Sequence, residues 1–171
     1  LVKLDQEQRK KLRRIGVKFG RYHVFLFKLF KPSAVSLRTL LWKSFNNINQ
    51  NLSPPTFGLN FLSDKINSSK DFMLLCGFEK FENIYVRIDI LERLFLLILN
   101  SEKDNKKELK IVPEMLNLLG CSKDNFINLL HKMNYKTFHR EENVYFKYNP
   151  SKNSYKKKFE KKIYLIIHLV C

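Results

Sequence analysis

The sequence predicts an α+β protein, mainly helical, in which a basic helical module is followed by a winged-helix-like domain. Three observations carry this expectation. Apolar residues recur at helical spacing in several separate stretches, short aromatic and β-branched runs lie between them, and glycine or proline marks most junctions. The chain has 171 residues, 44% of them hydrophobic and 13% aromatic, which is enough to bury one core or two small ones.

The first helix is expected from Asp5 to Arg14. Acidic Asp5 and Glu7 lie at its start, Arg9, Lys10, Lys11, Arg13 and Arg14 follow, and Gly16 ends it, an order that matches the helix dipole. Gly16-Val-Lys-Phe-Gly20 and the following Arg-Tyr-His-Val-Phe-Leu-Phe read as one short extended element between two glycine breaks. Pro32 restarts the chain, and Val35, Leu37, Leu40, Leu41, Trp42 and Phe45 predict a helix over Ala34 to Phe45. Asn46 to Asn60, with Pro54-Pro55, is an exposed connection.

Lys70 to Cys76 is a short helix stopped by Gly77, and Phe78 to Arg87 is a strand pair turning near Glu82-Asn83. Arg87 to Leu99 is a strongly apolar helix, too short to span a membrane and interrupted by Asp89, Glu92 and Arg93. After a charged loop, Ser101 to Lys107, Glu108 to Val112 forms a short strand and Pro113 opens the helix of Glu114-Met-Leu-Asn-Leu-Leu. Gly120 breaks it. Ser122 caps a helix from Lys123 to Met133 with Phe126, Leu129, Leu130 and Met133 on one face. Tyr135 to Arg140, a Glu-Glu-Asn turn and Val144 to Tyr148 make a hairpin. Helix, short strand, helix, turn, helix and hairpin is the order of a winged helix.

The expected division is therefore residues 1–46, a basic helical module with a short extended element; 47–70, an Asn/Pro/Ser-rich connection; 71–148, the winged-helix-like domain; and 149–171, a basic low-complexity tail. The tail ends in apolar Ile163-Tyr-Leu-Ile-Ile-His-Leu-Val-Cys.

Thirty-two Lys and Arg against 16 Asp and Glu give a formal charge of +16, which favours a polyanionic partner. Leu1 to Lys43 holds 12 basic against 2 acidic residues, while Ser44 to Asn100 holds 5 against 6. The excess lies at the two ends of the chain. Part of it fits a compositional bias, since Lys, Asn, Ile and Phe are all frequent. No Gly-rich phosphate loop is present, so the chain is not a self-contained nucleotide-driven motor. Cys76, Cys121 and Cys171 are odd in number and far apart, which excludes a disulfide framework or a Cys-x-x-Cys site and fits a reducing compartment, expected to be the cytoplasm. No stretch suits a signal peptide or a membrane span, and no membrane partner is expected.

Two candidate nucleic-acid surfaces follow. Arg9, Lys10, Lys11, Arg13, Arg14, Lys18 and Arg21 crowd the start with Phe19, Tyr22 and Phe25 among them, a mixture that can hold phosphates and stack bases, although aromatics in an alternating stretch more often serve the core. In the winged-helix-like domain, Lys123, Asn125, Asn128 and Lys132 are the outward candidates of the recognition helix, with Lys136, Arg140 and Lys147 on the wing. That domain can also serve only to pack or brace a larger enzyme, and the alternatives for the chain are a protein-interaction module docking a helicase or nuclease partner or a free-standing winged-helix DNA-binding protein. For catalysis the sequence offers little. His23, His131, His139 and His168 lack partners at metal-ligand spacing, and Asp89 and Glu92 are explained by ion pairs with Arg87 and Arg93. Cys121 lies at a helix start, where a thiol pKa can fall, yet it has no identifiable base.

Several stretches together resemble one family. Leu12-Arg-Arg-Ile-Gly-Val-Lys-Phe-Gly-Arg-Tyr-His-Val-Phe-Leu, Leu29-Phe-Lys-Pro with Leu37-Arg-Thr-Leu-Leu-Trp, Val86-Arg-Ile-Asp-Ile-Leu-Glu-Arg-Leu, Met115-Leu-Asn-Leu-Leu-Gly-Cys-Ser and Met133-Asn-Tyr are similar to the carboxy-terminal part of bacterial Suv-type superfamily 2 helicases, relatives of the mitochondrial degradosome helicase. The resemblance covers about Leu4 to Tyr148. It implies that the two motor domains, with their ATP-binding loop and Asp-Glu-x-His box, precede Leu1 in an intact protein. The chain starts with Leu inside a helical pattern, which fits such a fragment. ATP and magnesium then belong to the motor, no cofactor is expected in this chain, and the intact parent would be the enzyme. The implied partners are RNA or DNA, single-stranded, and the motor domains of the same parent chain. No catalytic residue carries over, and the apolar ending departs from the family.

Overall fold

The computed structural model describes residues 4–48, 52–63, 69–102 and 108–149. The expected tail from residue 150 onward, most of the charged loop and parts of the connection lie outside them. The described chain is α+β.

Asp5 caps the first helix, α1 (Gln6–Arg14): its carboxylate accepts the Gln8 N–H at 2.7 Å and the Gln8 side chain accepts the Asp5 N–H at 3.1 Å. The stretch expected as one extended element is instead two antiparallel strands, β1 (Val17–Phe19) and β2 (Val24–Leu26), with Val17 opposite Leu26. The intervening Gly20-Arg-Tyr-His23 turn contains one residue of turn type among three large side chains, so its local signal is weak. A 3-10 turn (Phe27–Phe30) leads into α2 (Pro32–Phe45), with Pro32 in its first turn.

The connection then contributes a strand that the sequence does not announce, β3 (Phe61–Ser63). It is followed by α3 (Lys70–Leu75), β4 (Phe78–Phe81), β5 (Ile84–Arg87) and α4 (Ile88–Glu102). Next come β6 (Leu109–Lys110), α5 (Pro113–Leu119), α6 (Lys123–Lys132), β7 (Tyr135–Arg140) and β8 (Asn143–Tyr148). Gly120 ends α5 at φ 67°, the left-handed conformation that lets its N–H reach the Leu116 carbonyl at 2.8 Å.

One plan occurs twice. A helix (α2), a lone strand (β3), a short helix (α3) and a hairpin (β4, β5) are followed by a helix (α4), a lone strand (β6), two helices (α5, α6) and a hairpin (β7, β8). Both antiparallel sheets place the last strand in the middle, in the orders β3-β5-β4 and β6-β8-β7. Each hairpin is entered through a positive-φ residue, Gly77 or Asn134. Each turns on two residues of which the first, Glu82 or Glu141, has φ 52°. Positive φ suits these tight turns because it matches the twist of the flanking strands.

Alternation along the strands decides which core each residue joins. Leu62, Phe78 and Tyr85 face Val35 of α2 and Phe72, Met73 and Leu75 of α3. Ile84 and Val86, on the opposite face of the same sheet, join a second core with Leu91 and Leu94 of α4, Leu119 of α5, Phe126 and Leu129 of α6, and Val144 and Phe146 of β8. The middle sheet is thus a wall between two cores. Val35, from the expected first module, shares its core with residues beyond the connection.

Candidate nucleic-acid interface

On α1 no residue is buried. Lys10, Lys11, Arg13 and Arg14 are exposed and Arg9 is half-buried; Lys18 on β1 and Arg21 in the β1–β2 turn are exposed as well. Lys11 pairs with Glu7 one turn earlier at 3.4 Å. Among the described residues the side chains of Lys10, Arg13, Arg14, Lys18 and Arg21 have no carboxylate partner. The aromatic residues among them are engaged internally. Arg13 lies 5.5 Å from the Phe19 ring, Tyr22 meets Phe95 edge-on at 4.5 Å, and Phe25 stacks on Phe30 at 5.5 Å. Tyr22 and Phe25 are half-buried, with their rings packed on Phe95 and Phe30.

What positions the β1–β2 turn of this block is Glu92, for which the sequence suggests an ion pair within its own helix. Asp89 does pair with Arg87, at 2.7 and 3.0 Å. Glu92 instead points into the β1–β2 turn. Its carboxylate accepts the N–H groups of Arg21 at 2.5 Å, Tyr22 at 3.0 Å and His23 at 2.8 Å, and lies 2.8 Å from His23 Nδ1. The other ring nitrogen of His23 lies 3.2 Å from Glu79. A side chain at Gly20 would collide with the Glu92 carboxyl group, so glycine is required for this close approach.

His23 is buried. Burial by itself pushes an imidazole pKa down, but here the hydrogen bonds to Glu79 and Glu92, together with their charges, outweigh it and raise the pKa from 6.5 to about 9. Burial likewise works against the Glu92 carboxylate, yet the bond from His23 and the three backbone N–H groups hold its pKa below the ordinary value. The result is an imidazolium between two carboxylates that clamps the basic turn to α4. The carboxylates lie on opposite ring nitrogens, so the cluster is a hydrogen-bonded chain rather than a set of ligands converging on one point. Among the described residues no group of His, Cys, Asp and Glu is placed to hold a metal ion.

The second surface is split. Lys123 and Asn128 on α6 are exposed, Asn125 is half-buried beside the Ser122 cap, and acidic Asp124 lies among them. Lys132 is drawn to Glu82 in the β4–β5 turn, so its charge is compensated. On the β7–β8 hairpin, Lys136 and Lys147 are exposed directly opposite each other, and Arg140 pairs with Glu108 at 2.7 Å while lying 5.7 Å from the Tyr145 ring. Lys110, Phe138 and Tyr145 occupy the same sheet face, by the pairings Lys110 with Tyr145 and Phe138 with Tyr145. None of the three stands out in the sequence, although alternation in Lys136, Phe138, Arg140 and in Tyr145, Lys147 carries the signal. Cys121, whose pKa a helix start could lower, is instead pushed up by burial to about 11, which leaves it a protonated, unreactive thiol.

No helix among the described residues is long and apolar enough to cross a membrane. No protein-family model, no curated protein and no solved structure matches the chain.

Proposed function

We propose that this chain is the accessory carboxy-terminal region of an ATP-dependent helicase of the Suv-type superfamily 2 kind, binding the backbone of single-stranded RNA or DNA and bracing the motor. The observation that carries the reading is the exposed cationic surface of α1, β1 and the β1–β2 turn, where the side chains of Lys10, Arg13, Arg14, Lys18 and Arg21 have no carboxylate partner among the described residues. Uncompensated cations close together cost stability in the free chain and favour a polyanion. The Glu92 clamp supports it further, because it holds Arg21 and the β1–β2 turn against α4. The order α4, β6, α5, α6, β7, β8, with β8 central, supports reading that part as a winged helix. ATP and magnesium belong to the motor in this reading, and the chain's own share is to hold the strand.

A second reading, a protein-interaction module docking a helicase or nuclease, is favoured by α2. Its Leu37, Leu40, Leu41 and Phe45 are 56, 65, 48 and 73% exposed, a stripe that a partner protein would cover. In the helicase reading the motor covers it. The two are separated by titrating the chain with a labelled single-stranded oligonucleotide at several salt concentrations. Backbone binding gives a linear fall of log affinity with log salt, and changing Lys10, Arg13, Arg14 and Lys18 to Gln should flatten the slope by about 0.7 for each phosphate that is no longer neutralised. Absence of binding at low salt would leave the interaction module as the function.

A further inference from the structure

The two halves of the repeated plan differ most on one surface. In each sheet one face turns toward the helices of its own unit and the other turns away. On the middle sheet the face turned away carries Phe61, Phe81, Ile84 and Val86, and the next unit packs on it. On the last sheet the equivalent face carries Lys110, Lys136, Lys147 and Arg140 around Phe138 and Tyr145. These two half-buried rings stand directly opposite each other on neighbouring strands and belong to neither core, and the Arg140 guanidinium that lies 5.7 Å over Tyr145 is the group a base would displace or stack upon. Lys110, Lys136 and Lys147 have no carboxylate partner among the described residues. Lys136 directly faces Lys147, an arrangement of like charges that weakens a sheet unless an anion lies across it.

We propose that this open face is a stacking platform for single-stranded nucleic acid: two successive bases lie on Phe138 and Tyr145 while the lysines hold the flanking phosphates. The proposal rests on the nucleic-acid reading above and adds where and how the strand is held. A protein partner would have to bring carboxylates to three separate lysines as well as apolar groups to the two rings between them. An unstacked strand offers both what the rings and what the lysines require. A duplex does not, since its bases are already stacked on each other.

The test uses the full chain and a labelled oligouridylate of about ten nucleotides, its abasic counterpart, and a duplex of the same length, with binding followed by fluorescence anisotropy. The wild type should bind the base-bearing strand tightest. Changing both Phe138→Leu and Tyr145→Leu should weaken that binding by at least about thirtyfold while leaving abasic affinity unchanged, and Tyr145→Phe should retain it. Lys136→Gln with Lys147→Gln should instead lower the salt slope by about 1.4. Equal wild-type affinity for the base-bearing and abasic strands, or tighter binding of the duplex, overturns the platform and leaves backbone binding by α1 standing. No binding of any of the three at low salt overturns both. The abasic comparison uses the wild type alone, so it can overturn the platform even if the leucine variants are unstable.

Discussion

His23 illustrates how far a single residue can depart from its sequence appearance. As one of four scattered histidines it carries no signal, yet it is the imidazolium that ties the amino-terminal turn to α4. Its contribution to stability has a definite pH window. Because its folded pKa is raised from 6.5 to about 9, the stabilisation is complete below about 6.5 and is lost as pH rises through about 9. Glu92 has a depressed pKa, so its share is present above its ordinary 4.5 and is lost at lower pH. Denaturant midpoints should therefore fall between about pH 6 and pH 9.5 in the wild type, and much less in His23→Gln, which has no proton to lose. Glu92→Gln removes the negative charge beside the imidazolium and puts an amide NH2 where one carboxylate oxygen accepted, and should cost about 3–5 kcal/mol in the same assay. Arg38 gives the opposite expectation. It is buried, its sole hydrogen bond among the described residues runs to the Leu29 carbonyl at 3.4 Å, and its Nε and Nη2 have no partner. Replacing a buried unpaired cation by an apolar chain of similar length removes a desolvation cost, so Arg38→Met should raise the denaturation midpoint, by about 1–3 kcal/mol of stability.

Among the elements, α1 stands apart, since it has a complete capping box and no buried residue. Nine residues without a packed face are marginally helical in water, since most helical stability in proteins comes from tertiary burial. Amide exchange should therefore show α1 opening first, with α4 protected nearly to the global limit, and Asp5→Ala should accelerate exchange in α1 while barely changing the overall midpoint. Gly120 tests the α5–α6 turn. A Cβ there meets nothing within 4 Å, so Gly120→Val acts through its left-handed backbone alone and should cost about 1–2 kcal/mol, whereas Gly120→Asn should cost less. These helices and the last hairpin are evident in the sequence because caps, glycines and alternation are local signals. β3 is not, because three residues within an Asn/Pro-rich stretch become a strand only by pairing with β5.

At the scale of the whole chain, the middle sheet serves two cores, and the boundary expected near residue 47 runs through one of them. Disruption of either core uncovers one face of the shared wall. Trp42 packs 5.6 Å from Phe72 in the first core, so its fluorescence reports that core, while far-UV circular dichroism reports all the helices. The two probes should give coincident denaturation curves; separate midpoints would mean that the units unfold independently.

Local chemistry in the sequence determined where helices begin and end, which residues are apolar enough to be buried, and that the basic excess lies outside the middle of the chain. Those properties depend on neighbours a few residues apart. Tertiary structure decided the partners: that Glu92 reaches back to Arg21, Tyr22 and His23, that Lys132 is neutralised by Glu82, and that one sheet face is packed while its counterpart is left to Lys110, Lys136, Phe138, Tyr145 and Lys147. Whether a charge is free or spent depends on residues tens of positions away, which meet only when strand pairing and core packing close the chain into one structure.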